Sequence, residues 1–305
     1  MLRSVRLVLT ADAASGALDE SACERVRHIV DTEPHWLATG AALTFEIETT
    51  VPRDRIEQAL SGLPIDINVV PAALSGKKLL VADMEATVIE QEMIDEMADL
   101  AGRRDEIAAI TRATMRGEID FAQSLRRRVA CLAGLTTTDL ATAAARITLM
   151  PGAAALVSAM KSSGAVAALV SGGFTTFVEP VARKLDFDRY VGNVLEIQND
   201  RLTGRVREPI LDAAAKRDLL LDLADQYGLY PEEVAAVGDG ANDLDMLAVA
   251  GLGIAFRAKP AVRAAMRDRP NGAVIDYADL TAILHLQGLS CAGRVESFAG
   301  RGRCG

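Results

Sequence analysis

Leu79-Leu80-Val81-Ala82-Asp83-Met84-Glu85-Ala86-Thr87 decides how this chain reads: four apolar residues in a row, then two carboxylates one residue apart. Two further stretches repeat the design. An apolar run over 165–170 ends in Ser171-Gly172-Gly173, and Val234-Ala235-Ala236-Val237 ends in Gly238-Asp239-Gly240-Ala241-Asn242-Asp243. Continuous apolar runs of this length, separated by helical stretches, are the pattern of a parallel sheet covered on both faces. Ligands of such open sheets bind just beyond the carboxyl ends of the strands. The expected fold class is therefore α/β, with a Rossmann-like parallel sheet whose strand ends bring carboxylates, a hydroxyl and glycine amides into one crevice.

Outward from that core, residues 90 to about 146 carry helical spacing, with Met93, Ile94, Met97, Leu100 and Ala101 on one face and Phe121, Leu125 and Arg128 on another. They predict an inserted helical cap over about 90–149 that excludes water from the strand ends. After Pro151 strand and helix alternate again, and Asn199-Asp200 between β-prone segments at 191–197 and 202–206 predicts a hairpin. Upstream, strand at 5–9, helix at 21–30, strand at 42–48, helix at 53–60 and strand at 65–70 suggest a small ferredoxin-like α+β module over 1–74. It reads either as a docking or dimerising appendage, which leaves a homodimer open, or as an ACT-like regulator that binds an amino acid. The core is expected over 75–288, and the glycine- and arginine-containing segment 289–305 as a disordered tail.

The 305 residues suit one large domain and one small one. Lys and Arg number 33 against 42 Asp and Glu, a formal charge of −9. Such a balance, without a basic block, argues against nucleic acid or an anionic membrane as partner, so any phosphate site must be made positive locally. Cys23, Cys131, Cys291 and Cys304 lack CxxC spacing and suggest neither a disulfide framework nor a zinc site. With no signal-peptide pattern and no apolar run of spanning length, a soluble cytoplasmic protein is expected.

Asp83 and Glu85 point the same way while the chain stays extended, so both can face one phosphate. One carboxylate can attack phosphorus and the other can pass a proton to the leaving alkoxide and take one from water. Taken alone, the pair also describes two solvated loop acids. Asp239 and Asp243 near them would make a hard oxygen site suited to Mg²⁺, although a glycine-aspartate-glycine run also makes a plain turn. Ser171 and Gly172 offer a hydroxyl and amides to phosphate oxygens, or a tight turn of their own. Lys216 stands in a small-residue stretch where it could compensate the carboxylates, or be solvated like most helix lysines. The order and spacing of the four clusters carry more than any one of them.

Asp83-x-Glu85-x-Thr87, Ser171-Gly172-Gly173, Lys216 and Gly238-Asp239-Gly240-x-Asn242-Asp243 resemble the four motifs of the haloacid dehalogenase superfamily. Glu90-Gln91-Glu92-Met93-Ile94-Asp95-Glu96 and Phe121-Ala122-Gln123-Ser124-Leu125-Arg126-Arg127-Arg128-Val129 narrow the resemblance to its phosphoserine phosphatase branch, over about 77–286. The resemblance implies Asp83 as nucleophile, Glu85 as acid and base, and Mg²⁺ held by Asp83, the Glu85 carbonyl and Asp239, with Asp243 in support. It implies Ser171, Gly172, Lys216 and Asn242 as the phosphate holders. Glu92 would meet the ammonium of O-phospho-L-serine and Arg128 its carboxylate, with Met115 and Phe121 near the substrate. Such an enzyme would complete serine synthesis. Helical geometry supports Arg128 independently, because seven residues make nearly two turns and continue the face of Phe121, leaving Arg126 and Arg127 to solvent. The chain departs from the family at Glu85, where aspartate is usual, and at Ala86, where serine is common. Two alternatives follow: a related phosphatase or phosphotransferase for another small substrate, or a phosphoserine-binding regulator that turns over poorly because of Glu85.

Overall fold

The computed structural model describes residues 4–48, 51–72 and 76–290. Its opening elements are β1 (Val5–Thr10), α1 (Glu20–Val30), β2 (His35–Ala38), β3 (Ala42–Ile47), α2 (Arg53–Ala59) and β4 (Asp66–Pro71). The strands pair antiparallel in the order β2-β3-β1-β4, which is a ferredoxin-like arrangement. β2 has no counterpart in the sequence reading: it is a four-residue edge strand whose register with β3 breaks between Trp36 and Ala38, so it carries no alternating pattern. β1 faces two ways. Leu7 and Leu9 pack with Val26, Phe45 and Ile56 under α1 and α2, whereas Val8 joins the apolar core of the rest of the chain.

The remainder opens with β5 (Leu79–Ala82), followed by the inserted helices α3 (Met93–Ala101), α4 (Arg104–Met115), α5 (Phe121–Ala130) and α6 (Thr137–Ala144). Then come α7 (Ala153–Ser162), β6 (Val166–Phe174), α8 (Thr175–Leu185), β7 (Arg189–Asn193), the antiparallel pair β8 (Leu195–Gln198) and β9 (Arg201–Val206), and α9 (Ala213–Gln226). The chain closes with β10 (Val234–Gly238), α10 (Leu244–Val249), β11 (Leu252–Phe256), α11 (Pro260–Arg267), β12 (Gly272–Ile275) and α12 (Ala282–Leu286). Six strands form one parallel sheet in the order β12-β11-β10-β5-β6-β7. The apolar runs are continuous because alternate residues serve opposite layers: Leu80 and Ala82 belong to one core cluster, Leu79 and Val81 to the other. The chain winds from β5 toward β7, returns, and winds from β10 toward β12, so the topological switch lies between β5 and β10.

Three details differ from the sequence reading. The segment expected as one hairpin strand divides: Arg189–Asn193 joins the parallel sheet as β7, and only Leu195–Gln198 pairs with β9. Asn199 and Asp200, both with positive φ, make the two-residue turn. Ser171-Gly172-Gly173 is not a turn, since β6 runs through it to Phe174. Leu289, placed in the expected tail, is fully buried beneath α12; residues 291–305, with Cys291 and Cys304, lie outside the described residues. The described Cys23 and Cys131 are free. Among the described residues, no helix is long and apolar enough to cross a membrane.

The small sheet meets the large one through side chains. The Asn68 amide donates to the Val274 carbonyl at 2.9 Å and accepts from the Val274 N–H at 2.8 Å. Asp66 accepts the N–H groups of Asp276, Tyr277 and Ala278 at 2.8, 3.1 and 3.0 Å. β4 thereby sits on the outer edge of β12.

Candidate functional site

Asp83 stands at the carboxyl end of β5, its N–H tied to the Val237 carbonyl of β10 at 2.9 Å. Its carboxylate is buried and accepts from the Lys216 ammonium at 2.7 Å. Lys216, fully buried in the first turn of α9, donates at the same distance to Asp243. Burial alone would lower the Lys216 pKa, but the Asp243 and Asp83 carboxylates hold it above the ordinary lysine value. Burial and then the Asp243 charge push Asp83 up, against the pull of Lys216.

Asp243 ends the short turn that follows β10, where its other oxygen accepts the Gly240 N–H at 3.0 Å. Gly238 makes room for it: a Cβ there would lie 2.5 Å from the Asp243 carboxyl carbon. Asp83, Asp239 and Asp243 each offer a carboxylate oxygen, all within 4.8 Å of one another. Three buried carboxylates against two lysines, Lys216 and the half-exposed Lys259 at 3.1 Å from Asp239, still leave a local deficit of positive charge, and an all-oxygen donor set of this kind fits a hard divalent cation such as Mg²⁺.

β6 brings Ser171 alongside, fully buried, its hydroxyl accepting the Gly173 N–H at 3.0 Å. The β6–β7 register shifts between Val170 and Phe174, which bows these glycines out of the ladder. A Cβ on Gly172 would meet the Phe121 ring of the cap at 3.4 Å and the Asn242 amide at 3.7 Å, so cap and core converge there.

Glu85 lies where cap and core meet. The chain has left the extended conformation by Ala86, whose φ is +52°, and the Glu85 carboxylate accepts the Met93 N–H at the start of α3 at 2.9 Å. Gly173 is what accommodates it, for a Cβ at that position would sit 2.8 Å from its carboxyl group. Burial, then the Glu92 charge, pushes the Glu85 pKa up to about 8. That direction favours the protonated carboxyl, the state a general acid requires.

Glu92 precedes α3 at its N-cap position without a side-chain capping bond, and burial raises its pKa with Lys259 opposing. On α5, Arg126 and Arg127 are exposed while Arg128 is turned inward. The Arg128 Nε is buried without a hydrogen-bond partner, and burial lowers its pKa against the charges of Glu85, Glu92 and Asp95. Met115 is the outlier. It ends α4 with 73% of its surface exposed, so core packing does not explain it.

Two neighbours have no place in the sequence reading. Asn193, buried at the end of β7, donates to the Gly172 carbonyl and accepts from the Leu211 N–H, both at 2.8 Å, and so ties the serine-glycine strand to the approach of α9. Lys259 lies between Asp239 at 3.1 Å and Glu92 at 3.9 Å. Each is a polar residue just at or beyond the carboxyl end of a sheet strand, a signal that position alone carries. A groove of about 760 Å³ lined by Arg103, Glu106, Arg127 and Cys131 lies elsewhere on the cap and shares no residue with the cluster.

The model of the haloacid dehalogenase-like hydrolase family matches residues 80–248, more than half of the chain. Phosphoserine phosphatase SerB2 of Mycobacterium tuberculosis is 46% identical over 229 residues, 75% of this chain but 54% of that protein, so the chain spans little more than half of its length. A phosphoserine phosphatase of Albidiferax ferrireducens is 49% identical over 208 residues, 66% of this chain and 88% of the relative. The crystal structure of a probable phosphoserine phosphatase from Vibrio cholerae aligns with a TM-score of 0.77 at 33% identity, covering 94% of this chain and 87% of that one.

Proposed function

The chain belongs to the haloacid dehalogenase-like hydrolase family, and on that premise we propose that it hydrolyses O-phospho-L-serine to L-serine and phosphate. The observation that carries the substrate is Arg128: a half-buried arginine whose Nε–H is buried without a partner, in the field of Glu85 and Glu92, offers one charge for the α-carboxylate beside another for the ammonium. A plain phosphomonoester would leave the Arg128 N–H unanswered.

In this mechanism Asp83 attacks phosphorus in line with the serine oxygen, forming an aspartyl phosphate as the ester P–O bond breaks. Glu85 gives its proton to the departing alkoxide. It then takes a proton from the water that attacks the aspartyl phosphate, which returns Asp83 and releases phosphate. Ser171, the Gly172 N–H, Asn242 and Lys216 hold the phosphoryl oxygens. Asp83, Asp239 and the Glu85 carbonyl would hold Mg²⁺, with Asp243 in support, and the metal when bound neutralises phosphate charge. Phe121 closes the cap side at Gly172, and Met115, exposed on the cap, is free to meet the substrate from above. The Glu85 position also speaks for an enzyme rather than a binding protein, since the longer acid is seated by Met93 and Gly173 rather than left loose. We place this activity in the cytoplasm.

Phosphate release from O-phospho-L-serine, with Mg²⁺ and with a chelator, tests the proposal against a panel of other small phosphomonoesters. Metal-dependent release selective for phosphoserine is expected. Binding without release, or faster release from an ester lacking an amino-acid end, overturns it.

A further inference from the structure

Lys259 takes no part in the steps above, yet it touches two of the groups they use. It precedes α11 on the strand connection next to the one that carries Asp239, and its N–H donates to the Asp239 carbonyl at 2.9 Å. Its ammonium lies 3.1 Å from the Asp239 carboxylate and 3.9 Å from that of Glu92, so one cation from the core spans a metal-class ligand and the first residue of the cap. The root of the side chain is held. Pro260 opens α11, Arg263 one turn on pairs with Asp276 at 2.6 Å, and Arg267 at the far end pairs with Glu57 of α2. The side chain itself is half exposed, so filling the core is not its task.

We infer that Lys259 is a built-in cation that competes with both positive charges of the reaction, the divalent metal at Asp239 and the substrate ammonium at Glu92, and so sets how tightly each binds. The inference rests on the function proposed above. Two effects of Lys259 on a metal at Asp239 oppose each other. A hydrogen bond to the carboxylate would orient it, but a partly exposed pair contributes little. Repulsion scales with the product of the charges and is doubled for a divalent ion, so competition outweighs orientation. At Glu92 the comparison is simpler, because Lys259 and the substrate ammonium carry the same charge and approach the same oxygens. Lys259 also offsets the repulsion between Asp239 and Glu92.

The test is calorimetric titration of the chelator-treated, dialysed protein with Mg²⁺, for the unaltered chain and for Lys259→Met, Lys259→Gln and Lys259→Arg. The neutral variants are expected to bind Mg²⁺ about fivefold more tightly and Lys259→Arg to keep the original affinity. In parallel, the kcat/KM ratio of O-phospho-L-serine to the same ester without its amino group should rise in the neutral variants. Weaker or unchanged Mg²⁺ binding in both neutral variants overturns the inference, as does an unchanged ratio; a merely structural role would weaken both. Failure of the unaltered protein to bind Mg²⁺ at all would instead remove the proposed function and this inference with it.

Discussion

Glu85→Asp shortens one carboxylate by a methylene, and the surroundings of Glu85 turn that into a rate. The carboxylate now accepts the Met93 N–H at 2.9 Å and fills the space that Gly173 leaves open. On the same backbone an aspartate retracts by roughly 1.5 Å, one carbon–carbon bond, which carries the oxygen beyond hydrogen-bond range of Met93. A misplacement of about 1 Å at a reacting group costs about a hundredfold, or about 2.7 kcal/mol in the barrier. The loss should depend on the leaving group. Serine alkoxide must be protonated as it departs, whereas a nitrophenolate leaves readily without help, so the variant should lose about a hundredfold in kcat on phosphoserine and far less on nitrophenyl phosphate. Steady-state phosphate release and nitrophenolate absorbance on one preparation measure both. Faster phosphoserine turnover by Glu85→Asp would refute the reasoning and mark the native chain as tuned for binding. Equal losses on the two esters would take proton transfer away from Glu85.

Lys216→Met leaves Asp83 and Asp243 buried without their shared cation and should lower stability by about 3–5 kcal/mol in denaturant melts of the chelated protein; an unmoved midpoint would mean that the triad is relieved in some other way. Arg128→Ala should reduce the kcat/KM preference for phosphoserine over nitrophenyl phosphate by about 10- to 100-fold, the scale of a lost charge-assisted hydrogen bond, and an unchanged ratio would dissociate Arg128 from the carboxylate. The pH dependence follows from Glu85, which keeps its proton in the folded chain up to about 8, against an ordinary value of 4.5. Between those values the native state binds the proton that the unfolded state has released, so stability is full below the ordinary range and declines as pH rises toward about 8. Melts of the chelated protein across that window should show the decline, with a shallower slope for Glu85→Gln.

The strand-end chemistry was legible because it came in clusters. Asp83 with Glu85, and Gly238 through Asp243, follow apolar runs whose continuity reflects burial on two faces, and that continuity announces a parallel sheet without any other clue. Lys216 was legible only through the family resemblance, since nothing in Ala213-Ala214-Ala215-Lys216 distinguishes a fully buried lysine from a solvated one. Asn193 and Lys259 escaped because each is a lone polar residue that matters only through neighbours in space: Gly172 and Leu211 for Asn193, and Glu92, more than a hundred positions away, for Lys259. β2 escaped for a local reason, being too short and too irregular in register to alternate. The 191–197 segment was misdivided because β-prone residues do not say which sheet they will join.

The contact between the two sheets has a consequence for how copies of this protein treat one another. β12 and β4 are both outermost strands, and an outermost strand presents a row of backbone groups to which any extended chain can add. Here the two rows meet through Asn68 and Asp66, which take the amide and carbonyl of Val274 and the amides beyond it without merging the sheets into one ladder. The amino-terminal module is thus a stopper as well as a neighbour. Cut away, it would leave the cluster around Asp83 untouched but uncover a strand edge beside the apolar surface that Val8 and Val70 now cover. The shortened chain should cling to itself before it fails to turn over.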